Sequence, residues 1–125
     1  MILLDTNVVI EFFKGREPVR SALDSLPAAD LAISHATHAE MVFGAFDKRE
    51  LQRILAGLHT LVSLPITSSI SHAALQLMEA YCLSNRLSLP DALIAATALH
   101  HSLPLYTLNR KDFRYIPNLN LYEPV

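Results

Sequence analysis

Four carboxylates are spaced along the chain so that a fold of alternating strands and helices would bring them together: Asp5, Glu40, Asp91 and Asp112. Acidic side chains seldom enter a fold without a counter-charge, and two of them about 4 Å apart at an effective dielectric near 20 repel by roughly 4 kcal/mol. A convergent set of four therefore describes a site for divalent cations. Mg²⁺ or Mn²⁺ takes carboxylate and water oxygens, and beside a phosphodiester it can polarise the phosphate while activating a water.

Each acid also has a local explanation. Asp5 or Thr6 could simply cap the helix that follows, and Glu40 could be the reciprocal partner of Thr37 in a capping box. Asp91 could be a favourable negative charge in a helix's first turn, and Asp112 a solvent-facing turn residue. Taken singly, Asp5 leans to the site, Asp112 to its local explanation, and Glu40 and Asp91 are balanced; the ordered set favours the site.

The elements that would position the acids follow from patterning. Asp5 comes after the apolar run Met1-Ile2-Leu3-Leu4 and before Thr6-Asn7 and Val8-Val9-Ile10, which reads as a short buried strand ending in an Asp and turning into a helix. In a parallel sheet that edge is where ligands bind. Gly15-Arg16-Glu17-Pro18 marks a break, residues 19–26 predict a short helix stopped before Pro27, and Leu31-Ala32-Ile33-Ser34 predicts the second strand. Thr37-His38-Ala39-Glu40 has the form of a capping box opening the next helix, and residues 51–58 continue helical after the charged corner Asp47-Lys48-Arg49-Glu50. Pro65 demotes residues 61–66 to a short strand or extended link, and a long helix is expected from Ile70 to about Ser84. Pro90 suits a first helical turn, and residues 92–99 are apolar nearly all round, so a buried helix should begin with Asp91 at its mouth. Residues 103–108 predict another strand, 109–113 a polar turn into a short helix, and 119–122 an edge strand. The alternation predicts an α/β fold: a three-layer α/β/α sandwich with a mainly parallel central sheet, in a single domain over residues 1–125.

Composition narrows the function classes. Half of the residues are apolar, yet no stretch approaches a membrane span and the chain opens on strand-like sequence without a basic leader, so a soluble, cytoplasmic protein is expected. A net charge of −2 argues against a general nucleic-acid coat. It does not exclude a nuclease, because ions would neutralise the four acids and leave basic side chains to meet phosphate. Arg110, Lys111 and Arg114 flank the fourth acid and are candidates to guide an RNA backbone, while Lys14, Arg16 and Arg20 follow the first helix. The single cysteine, Cys82, supports no disulfide framework and is read as a core thiol. His35, His38 and Glu40 suggest zinc, but the spacing is not HExxH and a strand-to-helix turn falls between the histidines. His100-His101 reads as the polar end of a helix, where the dipole favours positive charge.

The ordered fragments Leu4-Asp5-Thr6-Asn7, Ile33-Ser34 with Thr37, Glu40 and Gly44, Leu89-Pro90-Asp91 with Ile94-Ala95-Ala96, and Thr107-Leu108-Asn109-Arg110-Lys111-Asp112-Phe113 resemble a PIN-domain ribonuclease of the VapC toxin type over essentially the whole chain. The resemblance implies that Asp5, Glu40 and Asp91 surround one or two Mg²⁺ or Mn²⁺ ions and that Asp112 is the fourth acid. It makes Thr6, Thr107 and Asn109 supporting residues, with Thr6 orienting Asp5 or a water on the ion and Asn109 holding a water or an outer ligand. It further implies hydrolysis of RNA, such as transfer RNA, by an activated water, leaving a 5′-phosphate and a 3′-hydroxyl. The partners it implies are the RNA substrate, a small cognate antitoxin whose tail covers the acidic groove, and a second copy of the chain in a homodimer. Helix surface around Phe12-Phe13 and residues 51–58 is available to these partners. A housekeeping RNA-processing nuclease and a non-enzymatic interaction module are the alternatives. A HAD-type phosphatase also starts with an Asp after a strand, but Asp5-Thr6-Asn7 lacks the second acid two positions later.

Overall fold

Short apolar runs that alternate with helices pair here as parallel strands, because each helix returns the chain to the same end of the sheet before the next strand begins. In the computed structural model, which describes residues 1–124, the strands are β1 (Ile2–Leu4), β2 (Leu31–Ser34), β3 (Val62–Leu64) and β4 (Leu105–Tyr106). Their order across the sheet is β3-β2-β1-β4, with every pair parallel. Leu3 is level with Ala32 on one side and Leu105 on the other, so β1 is central and buried on both faces. That explains why its sequence is a continuous apolar run rather than an alternating one.

Six helices cover the sheet: α1 (Thr6–Phe13), α2 (Val19–Leu23), α3 (His35–Phe43), α4 (Lys48–Leu58), α5 (Ser68–Asn85) and α6 (Leu89–His101). Leu4, Ile33 and Tyr106 point to one face, where Val8, Val9, Leu23 and Leu58 bring α1, α2 and α4 against them. Leu3, Ala32 and Leu105 point to the other, against Ile94, Ala95 and Ala98 of α6. α5 lies behind α6, joined through Ile70, Ala74, Ala92 and Ala96. Sandwiched between the sheet and α5, α6 buries Ala92 and residues 94–98, which accounts for its nearly all-apolar circumference. The three-layer α/β/α arrangement with a parallel sheet is the expected one.

Several local expectations are corrected. α3 starts at His35, two residues before Thr37, because Ser34 leaves β2 extended and its hydroxyl accepts from the Ala36 N–H at 3.0 Å. α4 starts at Lys48 rather than residue 51: Asp47 accepts from the Glu50 N–H at 2.8 Å and Glu50 reaches back to the Phe46 N–H at 3.0 Å. A relative of the capping pattern assigned to Thr37 and Glu40 is thus found one helix later, with Glu50 bonding the residue before the cap rather than the cap itself. β4 spans two residues rather than six, and the expected strand at 119–122 is reduced to a single bridge between Leu105 and Leu121. Cys82 is half-buried on α5. Among the described residues, no helix is long and apolar enough to cross a membrane.

Candidate active site

The carboxyl ends of β1 and β4 meet at Asp5. This residue caps α1, with Oδ1 accepting from the Thr6 N–H at 2.8 Å, so its local explanation holds. Capping uses one oxygen only. Oδ2 accepts from Thr107 Oγ1 at 2.7 Å, and Thr107 Oγ1 itself accepts from the Asn109 N–H at 3.0 Å. Asn7 Oδ1 accepts from the Leu108 N–H at 3.3 Å, so the β1–α1 corner grips the turn after β4 at two points. Asp5 is only 5 % exposed. Burial raises its pKa above the usual carboxylate value; the bonds from Thr107 and Thr6 oppose that rise, and the charges of Glu40 and Asp112 add to it.

Glu40 does not return to the start of its own helix. It lies on the exposed side of α3 and its Oε1 accepts from Thr6 Oγ1 at 2.8 Å, a contact across 34 positions of sequence. The expected Thr37–Glu40 capping box is therefore absent, because Ser34 already caps the helix and Thr37 lies one turn inside it. Thr37 is fully buried, and its Oγ1 stands 3.1 Å from Thr6 Oγ1. The Thr6 hydroxyl thus serves Glu40, while the Thr6 backbone serves Asp5.

Asp91 sits in the first turn of α6 after Pro90, where Ser88 caps the helix. It is half-buried, and burial, followed by the charges of Asp5, Asp112 and Glu40, pushes its pKa up to about 6. Asp112 closes the 3-10 turn Arg110–Asp112 and is also half-buried. Asp5 and Asp91 therefore each lie within electrostatic reach of the other three acids brought forward from the sequence. Among the described residues, no three His, Cys, Asp or Glu side chains stand close enough as positioned to hold an ion. Like-charge repulsion opposes such closure unless a cation offsets it. The donors themselves suit a hard divalent cation, being carboxylate and hydroxyl oxygens with no thiolate or imidazole among them.

The remaining candidates divide. Thr107 and Thr6 touch the acids directly, whereas Asn109 is exposed and joins through its backbone. Arg110 is turned away onto Glu123 at 3.0 Å, with a further contact to the Tyr122 carbonyl. Lys111 and Arg114 are exposed. The rings of His35 and His38 meet edge-on at 6.3 Å, and Glu40 faces Thr6 rather than them. His100 and His101 do close the last turn of α6.

Three contributors have no site role marked by the sequence pattern alone. Asn7 was visible beside Asp5 but without a partner. Thr37 was read as a cap. Tyr115 carries no signal in the sequence, yet its hydroxyl is buried with no hydrogen-bond partner among the described residues, and its ring packs on Tyr81 at 5.0 Å. Burial and then the charges of Asp91 and Asp112 raise its pKa. A cleft of about 620 Å³ leads from Thr6 and Glu40 between α1, α3 and α4, walled by Ile10, Phe13, Met41 and Ile54.

The family model described as PIN domain matches residues 2–119. Ribonuclease VapC10 of Mycobacterium tuberculosis is 40% identical over 116 residues, covering 87% of this chain and 83% of that one. Among solved structures, a toxin–antitoxin complex from Klebsiella pneumoniae contains a chain 37% identical to this one, with a TM-score of 0.81 and coverage of 100% and 98%. A chain of FitAcB from Neisseria gonorrhoeae is 29% identical with a TM-score of 0.77, covering 99% of this chain and 98% of its own length. DNA-bound VapBC from Salmonella typhimurium supplies a further chain, 25% identical with a TM-score of 0.80 and full coverage, 100% of each.

Proposed function

The chain belongs to the PIN-domain family, among the VapC toxins of toxin–antitoxin systems, and on that premise we propose that it is a divalent-metal-dependent endoribonuclease. It works as one domain over residues 1–125. The observation that supports this reading best is the Asp5 carboxylate. It is buried at the end of the central strand with both oxygens held, and it still faces the charges of other acids from three separate elements.

In this reading Asp5, Glu40 and Asp91 hold the principal Mg²⁺ or Mn²⁺, and Asp112 serves its far side or a second ion. A divalent ion bound there would neutralise the carboxylates, polarise an RNA phosphodiester and lower the pKa of a coordinated water. The chain's own contribution is positional. Thr107 and the Thr6 N–H fix both oxygens of Asp5, and the Thr6 hydroxyl steers Glu40 toward the same corner. No side chain needs to act as a covalent nucleophile, and the products carry a 5′-phosphate and a 3′-hydroxyl. Lys111 and Arg114 present positive charge beside Asp112 to position the backbone of a structured RNA such as tRNA. Arg110 contributes less, because Glu123 already neutralises it.

The partner is a small cognate antitoxin, in keeping with the toxin–antitoxin complex from Klebsiella pneumoniae. The apolar cleft beside Thr6 and Glu40 offers it a seat from which it can cover the acids. A homodimer in the cytoplasm completes the proposed state.

The test compares wild type with Asp5→Asn on total cellular RNA, with Mn²⁺ or Mg²⁺ and with EDTA, mapping the cut ends. Cuts that need metal and vanish in Asp5→Asn are expected. A folded, antitoxin-free wild type that leaves every RNA intact would overturn the reading.

A further inference from the structure

We infer that Thr37 is a positioning residue that holds Glu40 through the hydroxyl of Thr6; this rests on the reading of Glu40 as a metal-binding carboxylate. A threonine hydroxyl has one proton to give. Thr6 Oγ1 stands 2.8 Å from Glu40 Oε1 and 3.1 Å from Thr37 Oγ1. An ionised carboxylate can only accept, so the Thr6 proton belongs on Glu40. The longer contact then runs the other way, with Thr37 donating to Thr6. The result is a chain of donation in one direction, from Thr37 to Thr6 to Glu40.

The two ends of this chain are unlike. Thr37 is 0% exposed, and Thr6 Oγ1 is the hydrogen-bond partner of its hydroxyl among the described residues, so rotating that hydroxyl away would leave a buried donor unpaired. Glu40 is exposed and, as a long side chain, has several rotamers to lose on being fixed. A buried hydroxyl that has nowhere else to donate thereby directs the anchor of a mobile carboxylate. By occupying a lone pair of Thr6 it sets that hydroxyl's rotor and polarises the bond to Glu40.

Position along the chain gives the same answer. Thr37 and Glu40 are three residues apart on α3 and share a face, and Thr6 opens α1 immediately after Asp5. The two threonines therefore tie the helix carrying one acid to the corner carrying another.

The experiment measures Mn²⁺ affinity from the electron paramagnetic resonance signal of the free ion for wild type, Thr37→Val and Thr37→Ser, each also in a Glu40→Gln background, with thermal melts to confirm folding. Thr37→Val is expected to weaken Mn²⁺ binding about 10-fold, as loss of a group that orients a metal ligand does, and Thr37→Ser to restore it. In the Glu40→Gln background the Thr37→Val change should add nothing further. Unchanged affinity in folded Thr37→Val, or an equal loss in both backgrounds, would show that Thr37 only packs. Where Thr37→Val does not fold, Thr37→Ala makes the same comparison without the added methyl. A wild type that neither binds Mn²⁺ nor cuts RNA removes the metal reading and this inference with it, whereas a binding wild type matched by Thr37→Val removes this inference alone.

Discussion

Thr107 Oγ1 donates to Asp5 Oδ2 at 2.7 Å although 102 positions separate them in sequence. The bond joins the carboxyl ends of β1 and β4, next to the backbone bond from the Asp5 N–H to the Tyr106 carbonyl at 2.9 Å. Both partners are buried, so the bond is shielded from water and hard to replace.

Removing that hydroxyl should cost both stability and activity. Thr107→Val leaves a buried carboxylate oxygen without its donor, at about 1–3 kcal/mol, and urea unfolding should register the loss. RNA cleavage should fall about 10-fold or more as Asp5 loses its fixed orientation. Thr107→Ser should retain most of both, and a Thr107→Val protein as stable and as active as wild type would refute the assigned role.

The pH dependence of Asp91 follows from its environment. Its pKa rises from 3.8 to about 6, so the folded chain holds this proton more tightly than the unfolded chain does. The associated stability is complete below 3.8, declines as pH rises, and is lost above about 6; Asp5 shifts in the same direction. In metal-free protein, Asp91→Asn should melt at a higher temperature than wild type at neutral pH. The difference should shrink as the solution is acidified through that window. Identical melting temperatures at neutral pH would contradict the penalty.

RNA binding should report the separate states of the three basic residues. In the Asp5→Asn background, neutralising Lys111 or Arg114 should lower the slope of log affinity against log salt by about 0.7 per phosphate contact on a single strand. Arg110→Ala should change it less, because Glu123 already takes that charge at 3.0 Å. Fluorescence anisotropy across a salt series measures all three, and equal slopes for every variant would dismiss the basic cluster as an RNA guide.

Helix packing beneath the cleft depends on the absence of a side chain. A Cβ at Gly57 on α4 would come within 2.8 Å of the Phe13 ring of α1. Gly57→Val should therefore destabilise by about 1–3 kcal/mol through overpacking. Adding Phe13→Ala to Gly57→Val should cost less than the two single changes summed, since each relieves the other. Additive losses in urea unfolding would place the strain elsewhere.

The acids were legible because each occupies a junction that local chemistry marks. Asp5 ends an apolar run, and Asp91 follows a proline suited to a first helical turn. Glu40 was legible as a position but not as a contact: a threonine three residues before a glutamate signals a cap, and only the folded sheet brings Thr6 near enough to compete for the carboxylate. The true cap, Ser34, is the last residue of β2, so strand pairing as much as sequence decides where α3 begins. β4 was overestimated because residues 103–108 are apolar enough for a strand, while Thr107 spends its hydroxyl on Asp5 and the Asn109 N–H and turns the chain away. Arg110 looked free because its partner Glu123 lies 13 positions later in a segment without regular structure.

The order β3-β2-β1-β4 puts the first strand made next to one of the last. Until residues 105–107 have been synthesised, β1 has an open edge and Asp5 has no Thr107 to hold it. A ribosome that stalls earlier releases a fragment missing that support and the fourth acid at position 112. Assembly of the candidate site therefore waits on β4, which supplies both an edge partner for β1 and the hydroxyl that holds Asp5.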